Sequence, residues 1–151
     1  MESNNKGNLG LISVIMSIYN GENSIEESVN SILHQSYPYF EFLIIDDGSS
    51  DNTFEILKKY LKIDKRIKIF RNNPNIGLTK ALNIIIKKSK GEFIARQDVD
   101  DYSHPNRLKK QIEFLNKYKH YSFCGTNGHS RHSKENITWS YTPEAINKNL
   151  I

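Results

Sequence analysis

The stretch Leu43-Ile44-Ile45-Asp46-Asp47-Gly48-Ser49 decides the fold of this chain. A short apolar run, rich in β-branched residues, breaks off at acidic and turn-forming residues, which is typical of a buried strand that ends in a loop. A second run of the same kind, 11–18, ends at Tyr19-Asn20-Gly21. Between the two runs, apolar residues recur at helical spacing over 25–33. The pattern predicts a strand–helix–strand unit, in which the two strands run parallel.

The strand–helix unit is repeated four times along the chain. The predicted strands cover 11–18, 40–45, 67–70 and 92–96, and an apolar stripe at helical spacing follows each of them. Such alternation predicts an α/β fold, with a mostly parallel sheet flanked by helices on both faces. Beyond the fourth helix we predict a strand over 121–125 and another near 137–139, in a segment that is otherwise polar and irregular.

Local signals predict where the helices begin and end. Ser24 and Asn52 each precede a glutamate by three residues, the spacing of a capping box at a helix start. Gly91 is predicted to end the third helix, because glycine is favoured just after a helix C-terminus. Pro105 is predicted to be the first residue of the fourth helix.

The composition predicts one globular domain, with 37% hydrophobic and 25% charged residues. The net charge is +4, but the lysines are spread along the chain, so no nucleic-acid partner is expected. A single cysteine, Cys124, excludes an intramolecular disulfide and fits a reducing compartment. No window approaches the roughly 20 apolar residues of a membrane-spanning helix. We expect a disordered lead over 1–10, a ligand-binding core over 11–125, and a cytoplasmic protein.

Three polar clusters follow predicted strands: 17–20, 46–49 and 98–101. In an open parallel sheet, ligands bind beyond the carboxyl ends of the strands, so these clusters are expected on one edge. Asp98, Asp100 and Asp101 give the strongest signal, because Mg²⁺ and Mn²⁺ prefer carboxylate oxygens and often bind substrate phosphates as well. The alternative is a solvated acidic turn that caps the next helix.

Other candidate residues also have two interpretations. Asp46 and Asp47 either accept hydrogen bonds from a nucleobase or ribose, or serve as ordinary turn formers. Tyr19 either lies against a nucleobase or packs at the edge of its loop. Lys80 and Arg107 are either phosphate partners or solvated positions on helix faces. The five histidines show no zinc-ligand arrangement.

Four ordered segments together resemble one family. They are Ser13-Val14-Ile15-Met16-Ser17-Ile18-Tyr19-Asn20, Leu43 to Asp51, Asn75-Ile76-Gly77-Leu78-Thr79-Lys80-Ala81-Leu82-Asn83, and Gly91 to Asp101, which ends in Asp98-Val99-Asp100-Asp101. Pro105-Asn106-Arg107-Leu108 with Gln111 continues the pattern. These segments resemble the nucleotide-sugar-binding half of family 2 glycosyltransferases, which have a GT-A fold.

The resemblance implies roles for individual residues. Ser17, Tyr19 and Asp47 would surround the nucleobase and ribose of a UDP-sugar, while Asp98 and Asp100 would lie near the ribose and a metal-bound diphosphate. Asp101 would be a further ligand of the Mn²⁺ or Mg²⁺ ion. The implied reaction transfers the sugar to an acceptor hydroxyl with inversion, in the synthesis of cell-surface polysaccharide or another glycan.

The resemblance also implies what the chain lacks. In this family the base that takes the acceptor proton usually lies in a later segment, so we expect it beyond residue 151 and expect 126–151 to begin an incomplete acceptor-side region. The acceptor would be a saccharide or a lipid-linked saccharide, which allows peripheral contact with the inner face of the membrane. The alternative to an active transferase is a C-terminally truncated, non-catalytic nucleotide-binding fragment.

Three other classes fit the motifs less well. A phosphoacceptor signalling domain would have its acidic pair after the first strand, where Tyr19-Asn20 stands instead. A dinucleotide-dependent oxidoreductase would have G-x-G-x-x-G there, and Asn20-Gly21-Glu22 does not supply it. A nucleic-acid binder would concentrate its basic residues on one surface.

Overall fold

The computed structural model describes residues 9–126, which form four strands and four helices in strict alternation. The strands are β1 (Ile12–Ile18), β2 (Phe40–Asp46), β3 (Ile67–Arg71) and β4 (Phe93–Arg96). The helices are α1 (Ile25–Leu33), α2 (Thr53–Tyr60), α3 (Leu78–Ile86) and α4 (Arg107–Lys117). All four predicted strands and all four predicted helices are confirmed within a few residues of their expected bounds.

The four strands form one parallel sheet in the order β3-β2-β1-β4. Ile18 at the end of β1 is in register with Asp46 at the end of β2, and Asp46 is in register with Arg71 at the end of β3. The chain moves outward from β1 through β2 to β3 and then returns to the other side of β1 for β4. The order therefore reverses between β1 and β4, and parallel α/β sheets bind ligands at such a point.

The core has two parts, one on each face of the sheet. Alternate residues of β1 and β2, such as Met16 and Phe42, face a larger cluster that includes residues of α1, α2 and α4. Their neighbours, such as Ile15 and Leu43, face a smaller cluster that includes Ala81 of α3. Because both faces of β1 and β2 are covered, these strands are almost continuously apolar, as the sequence indicated.

The predicted capping boxes are wrong. Ser24 and Asn52 are the N-cap residues of α1 and α2, but neither side chain makes a capping hydrogen bond. At α2, the Asp51 carboxylate accepts a hydrogen bond from the Thr53 amide at 3.0 Å instead. Glu22 accepts one from the Asn52 amide at 2.9 Å. The loop after β1 thus supplies an acceptor that the local sequence of α2 does not reveal.

Three further local predictions are wrong. α3 ends at Ile86, before Gly91, and Gly91 packs so closely on β1 that an added Cβ would lie 2.4 Å from the Ser13 amide nitrogen. α4 begins at Arg107, after a turn that contains Pro105. No strand forms over 121–125, although these residues belong to the described part of the chain. The strand predicted near 137–139 lies outside the described residues, as does most of the expected lead.

Candidate functional site

The carboxyl edge of the sheet brings the three predicted clusters together. The clusters 17–20, 46–49 and 98–101 lie at or just after the ends of β1, β2 and β4, whose strands are adjacent and parallel. Ser17 is half-buried near the end of β1, and Tyr19 follows that strand with 54% of its surface exposed. Lys80 is exposed on the first turn of α3. An exposed aromatic ring at this edge is available to a ligand.

The loops after β1 and β2 are joined by hydrogen bonds. The amides of Asn20 and Gly21 donate to the hydroxyl oxygens of Ser49 and Thr53, both at 2.9 Å. The Ser50 amide donates to the Asn20 side-chain oxygen at 2.9 Å. Asn20 has a φ of 52°, a left-handed conformation that asparagine tolerates better than most residues. These hydrogen bonds between the two loops fix the backbone next to Tyr19.

Asp47 is the most heavily hydrogen-bonded carboxylate at this edge. Its oxygens accept from the Asn72 side-chain amide at 2.7 Å, from the Ile76 amide at 3.1 Å and from the Gly77 amide at 2.8 Å. Only 2% of the residue is exposed. Since Gly77 is the N-cap of α3, Asp47 connects the end of β2 to the loop after β3 and to the start of that helix. Its proposed contact with a ligand stays a prediction.

Asp46 is fully enclosed. One of its carboxylate oxygens accepts from the Ser49 amide at 2.9 Å. The other lies 3.1 Å from the Arg71 Nε but is not aligned for a hydrogen bond. With none of its surface exposed, Asp46 orders the turn after β2 from inside the protein, and its contact with a ligand stays a prediction.

The turn after β4 carries the three carboxylates that were predicted to bind a metal. Asp98 accepts two hydrogen bonds from the Arg96 guanidinium, at 2.8 and 3.0 Å. Burial, and after it repulsion from Asp98 and Asp100, raise the pKa of Asp101 above its ordinary value. Within residues 9–126, no three acidic, histidine or cysteine side chains converge closely enough to form a metal site.

Gln97 holds this turn from within the protein. Its side-chain amide donates to the carbonyl oxygens of Asp98 and Asp101, at 3.2 and 2.8 Å, and its oxygen accepts from Arg107 at 2.6 Å. The residue is 1% exposed. Arg107 also donates to Ser103 at 2.6 Å. The side chain that was predicted to bind phosphate therefore makes its hydrogen bonds within the turn. The sequence marked Arg107 as a candidate but gave Gln97 no role, although Gln97 lies within the segment Gly91 to Asp101 that carries the family resemblance.

A groove of about 510 Å³ lies beside this turn, between β4 and α4. Its walls include Phe93 and Ala95 of the outer strand, and Arg96, Asp101 and Arg107 lie along its polar side. The acidic turn therefore borders a cleft that reaches the outer edge of the sheet.

The fold and this edge define an α/β protein with its candidate ligand site at the carboxyl ends of parallel strands. The chain matches the family model described as "Glycosyl transferase family 2" over residues 13–150. It therefore belongs to glycosyl transferase family 2, as the sequence motifs predicted.

Relatives and solved structures support this assignment. The chain is 47% identical over 116 residues to EpsE of Bacillus subtilis, which carries a glycosyltransferase name, covering 76% of this chain and 42% of EpsE. It is 39% identical over 143 residues to WfgD of Escherichia coli, a "UDP-Glc:alpha-D-GlcNAc-diphosphoundecaprenol beta-1,3-glucosyltransferase", covering 93% and 49% respectively. The chain spans less than half the length of both relatives.

A structure of S. aureus TarS 1-349 is similar to this fold, with a TM-score of 0.67 and 34% identity, covering 72% of this chain and 33% of that one. A second TarS structure, with the same TM-score and identity, is a complex with UDP-GlcNAc. The predicted GT-A fold is thus confirmed for the described residues.

Proposed function

We propose that this chain binds the nucleotide-sugar donor, a UDP-sugar, of a metal-dependent inverting glycosyltransferase at the carboxyl edge of its sheet. The observation that carries the proposal is the convergence of the loops after β1, β2 and β4 on one edge in a family 2 chain. An exposed aromatic ring, Tyr19, and a set of carboxylates are the chemistry that a nucleoside with ribose hydroxyls requires.

The choice of UDP rests on relatives. WfgD is named for a UDP-Glc donor, and TarS has been solved with UDP-GlcNAc. Each is similar to this chain at 34% identity or more. Donor binding falls to residues of the described part, with Ser17, Tyr19 and Asp47 on the nucleoside side and Lys80 at the first turn of α3.

The residues of the acidic turn fit a divalent cation. Their oxygens are the hard ligands that Mg²⁺ and Mn²⁺ prefer. Burial is the main cause of the raised pKa of Asp101, and repulsion from Asp98 and Asp100 adds to it. A bound cation would relieve that repulsion between like charges. Asp98, Asp100 and Asp101 are the residues that would hold it, and the bound ion would act as a Lewis acid that neutralises charge on the departing diphosphate.

The acceptor is proposed by class only. WfgD acts on a diphosphoundecaprenol-linked sugar by its name, and we propose a saccharide or lipid-linked saccharide acceptor and a place at the cytoplasmic face of the membrane. None of the helices among residues 9–126 could span a bilayer. The acceptor hydroxyl must lose its proton to a base during the transfer.

Thermal unfolding with and without ligands tests the proposal. We expect UDP with Mn²⁺ to raise the melting temperature. A ligand that binds only the folded state, at about 100 times its Kd, raises the free energy of unfolding by roughly 2.7 kcal/mol. GDP with Mn²⁺ and UDP with EDTA are the controls and should shift it much less. A cooperative transition that no nucleoside diphosphate shifts would show that the chain folds without a donor site and would overturn the proposal.

A further inference from the structure

Two cationic side chains stand at the acidic turn, and they differ in how their hydrogen bonds are used. Arg107 donates inward to Gln97 and Ser103, to the Arg96 carbonyl oxygen at 2.8 Å, and to Gln111 at 3.3 Å. Every nitrogen of that guanidinium has an intramolecular acceptor. Arg107 therefore stabilises the turn, and a ligand could reach its N–H donors only by breaking the hydrogen bonds that hold the turn.

Arg96 is placed differently. It is the last residue of β4, on the ligand-binding edge and next to the point where the strand order reverses. Its side chain is 53% exposed and makes two hydrogen bonds to the Asp98 carboxylate, which is 44% exposed. An ion pair this open to water contributes little to stability, because solvent screens both charges. The Arg96 guanidinium can therefore leave Asp98 at little cost.

We propose that Arg96 binds the diphosphate of the nucleotide-sugar, exchanging the Asp98 carboxylate for phosphate oxygens. The proposal rests on the donor site proposed above and assigns one of its contacts. A guanidinium presents the same planar pair of N–H donors to a carboxylate and to a phosphate. In this structure the Asp98 carboxylate accepts the two hydrogen bonds that the phosphate oxygens would accept. The exchange also frees the oxygens of Asp98. The same movement of the Arg96 side chain thus makes a guanidinium available to the diphosphate and a carboxylate available to the divalent cation.

The structure predicts that this exchange leaves the turn intact. The backbone of Arg96 accepts from Arg107 through its carbonyl oxygen, which a substitution of the side chain keeps. Gln97 continues to hold the carbonyl oxygens of Asp98 and Asp101. The Arg96 side chain can therefore be removed without removing the hydrogen bonds that shape the site.

The test compares uridine with UDP, both in the presence of Mn²⁺. In Arg96→Ala, the affinity for UDP should fall about tenfold or more, since a hydrogen bond to a charged group is lost. The affinity for uridine, which has no phosphate, should stay unchanged. Arg96→Lys keeps the charge but loses the planar pair of donors, so its UDP affinity should lie between those of Arg96→Ala and the parent.

The matched control is Arg66→Ala, at the other end of the sheet. Arg66 also pairs with an aspartate two residues away, Asp64, at 2.7 Å, just before β3 begins. This variant should bind UDP like the parent. Unchanged UDP affinity in Arg96→Ala, or an equal loss for uridine and UDP, would overturn the assignment of Arg96. A parent chain that binds no UDP would instead overturn the donor site itself.

Discussion

Replacing Asp47 with alanine is expected to lower the free energy of unfolding by about 2 kcal/mol and to weaken uridine binding even without metal. The change removes the acceptor of the Ile76 amide and of the Asn72 side chain, both half-buried, while the Gly77 amide keeps the Asn75 side-chain oxygen at 3.0 Å. A buried donor that loses its partner costs about 1–3 kcal/mol. Urea-induced unfolding followed by circular dichroism measures the loss of stability.

Asp47→Asn sharpens this experiment because it keeps the shape of the side chain. One acceptor becomes an NH₂ group that faces a backbone N–H, so the variant should be destabilised nearly as much as Asp47→Ala. Replacing an exposed carboxylate usually changes the free energy of unfolding by no more than about 0.5 kcal/mol. If Asp47→Ala loses no more than that, the Asp47 carboxylate does not hold the loop after β3.

Replacing Asp100 with alanine is expected to abolish the part of UDP binding that depends on Mn²⁺. The residue is exposed, and within residues 9–126 its carboxylate has no hydrogen bond or salt bridge to lose, so stability should stay near that of the parent. Uridine binding should also be unchanged. Calorimetric titrations of UDP with Mn²⁺ and with EDTA measure the metal-dependent part.

Asp64→Ala is the control for Asp100→Ala. It removes a carboxylate from the opposite end of the sheet, where Asp64 pairs with Arg66. This variant should keep the full effect of Mn²⁺ on UDP binding. If Asp100→Ala keeps that effect as well, Asp100 is not a metal ligand and the acidic turn returns to its alternative interpretation as a solvated turn.

Much of the fold is predictable from the sequence because its strands carry strong local signals. β1 and β2 are short β-branched runs that end at turn formers, and the strand–helix alternation leaves few topologies for a parallel sheet. Helix ends were less predictable. The start of α2 depends on Glu22, thirty residues earlier in the chain, and the close packing of Gly91 on β1 has nothing to do with the end of α3.

The location of the candidate site was predictable, but its contacts were not. Parallel strands bring 17–20, 46–49 and 98–101 to one edge whatever their order. By contrast, the role of Asp47 depends on how the loop after β3 folds back, which no local pattern encodes. Arg107 is held inward by Gln97, a buried side chain that joins the turn to α1 through Ser28 at 3.0 Å, and no local pattern encodes that contact either.

The central claim is that the donor binds at the carboxyl edge of the sheet. The most direct measurement is a backbone amide NMR titration of the isotopically labelled chain with UDP-GlcNAc and Mg²⁺, which avoids paramagnetic broadening. The account predicts saturable shifts at 18–22, 46–51, 72–77 and 96–101. Amides at the opposite edge, around Ser13, Glu41 and Lys90, should not move. Saturable shifts centred on that opposite edge, or a spectrum that millimolar ligand leaves unchanged, would contradict the account.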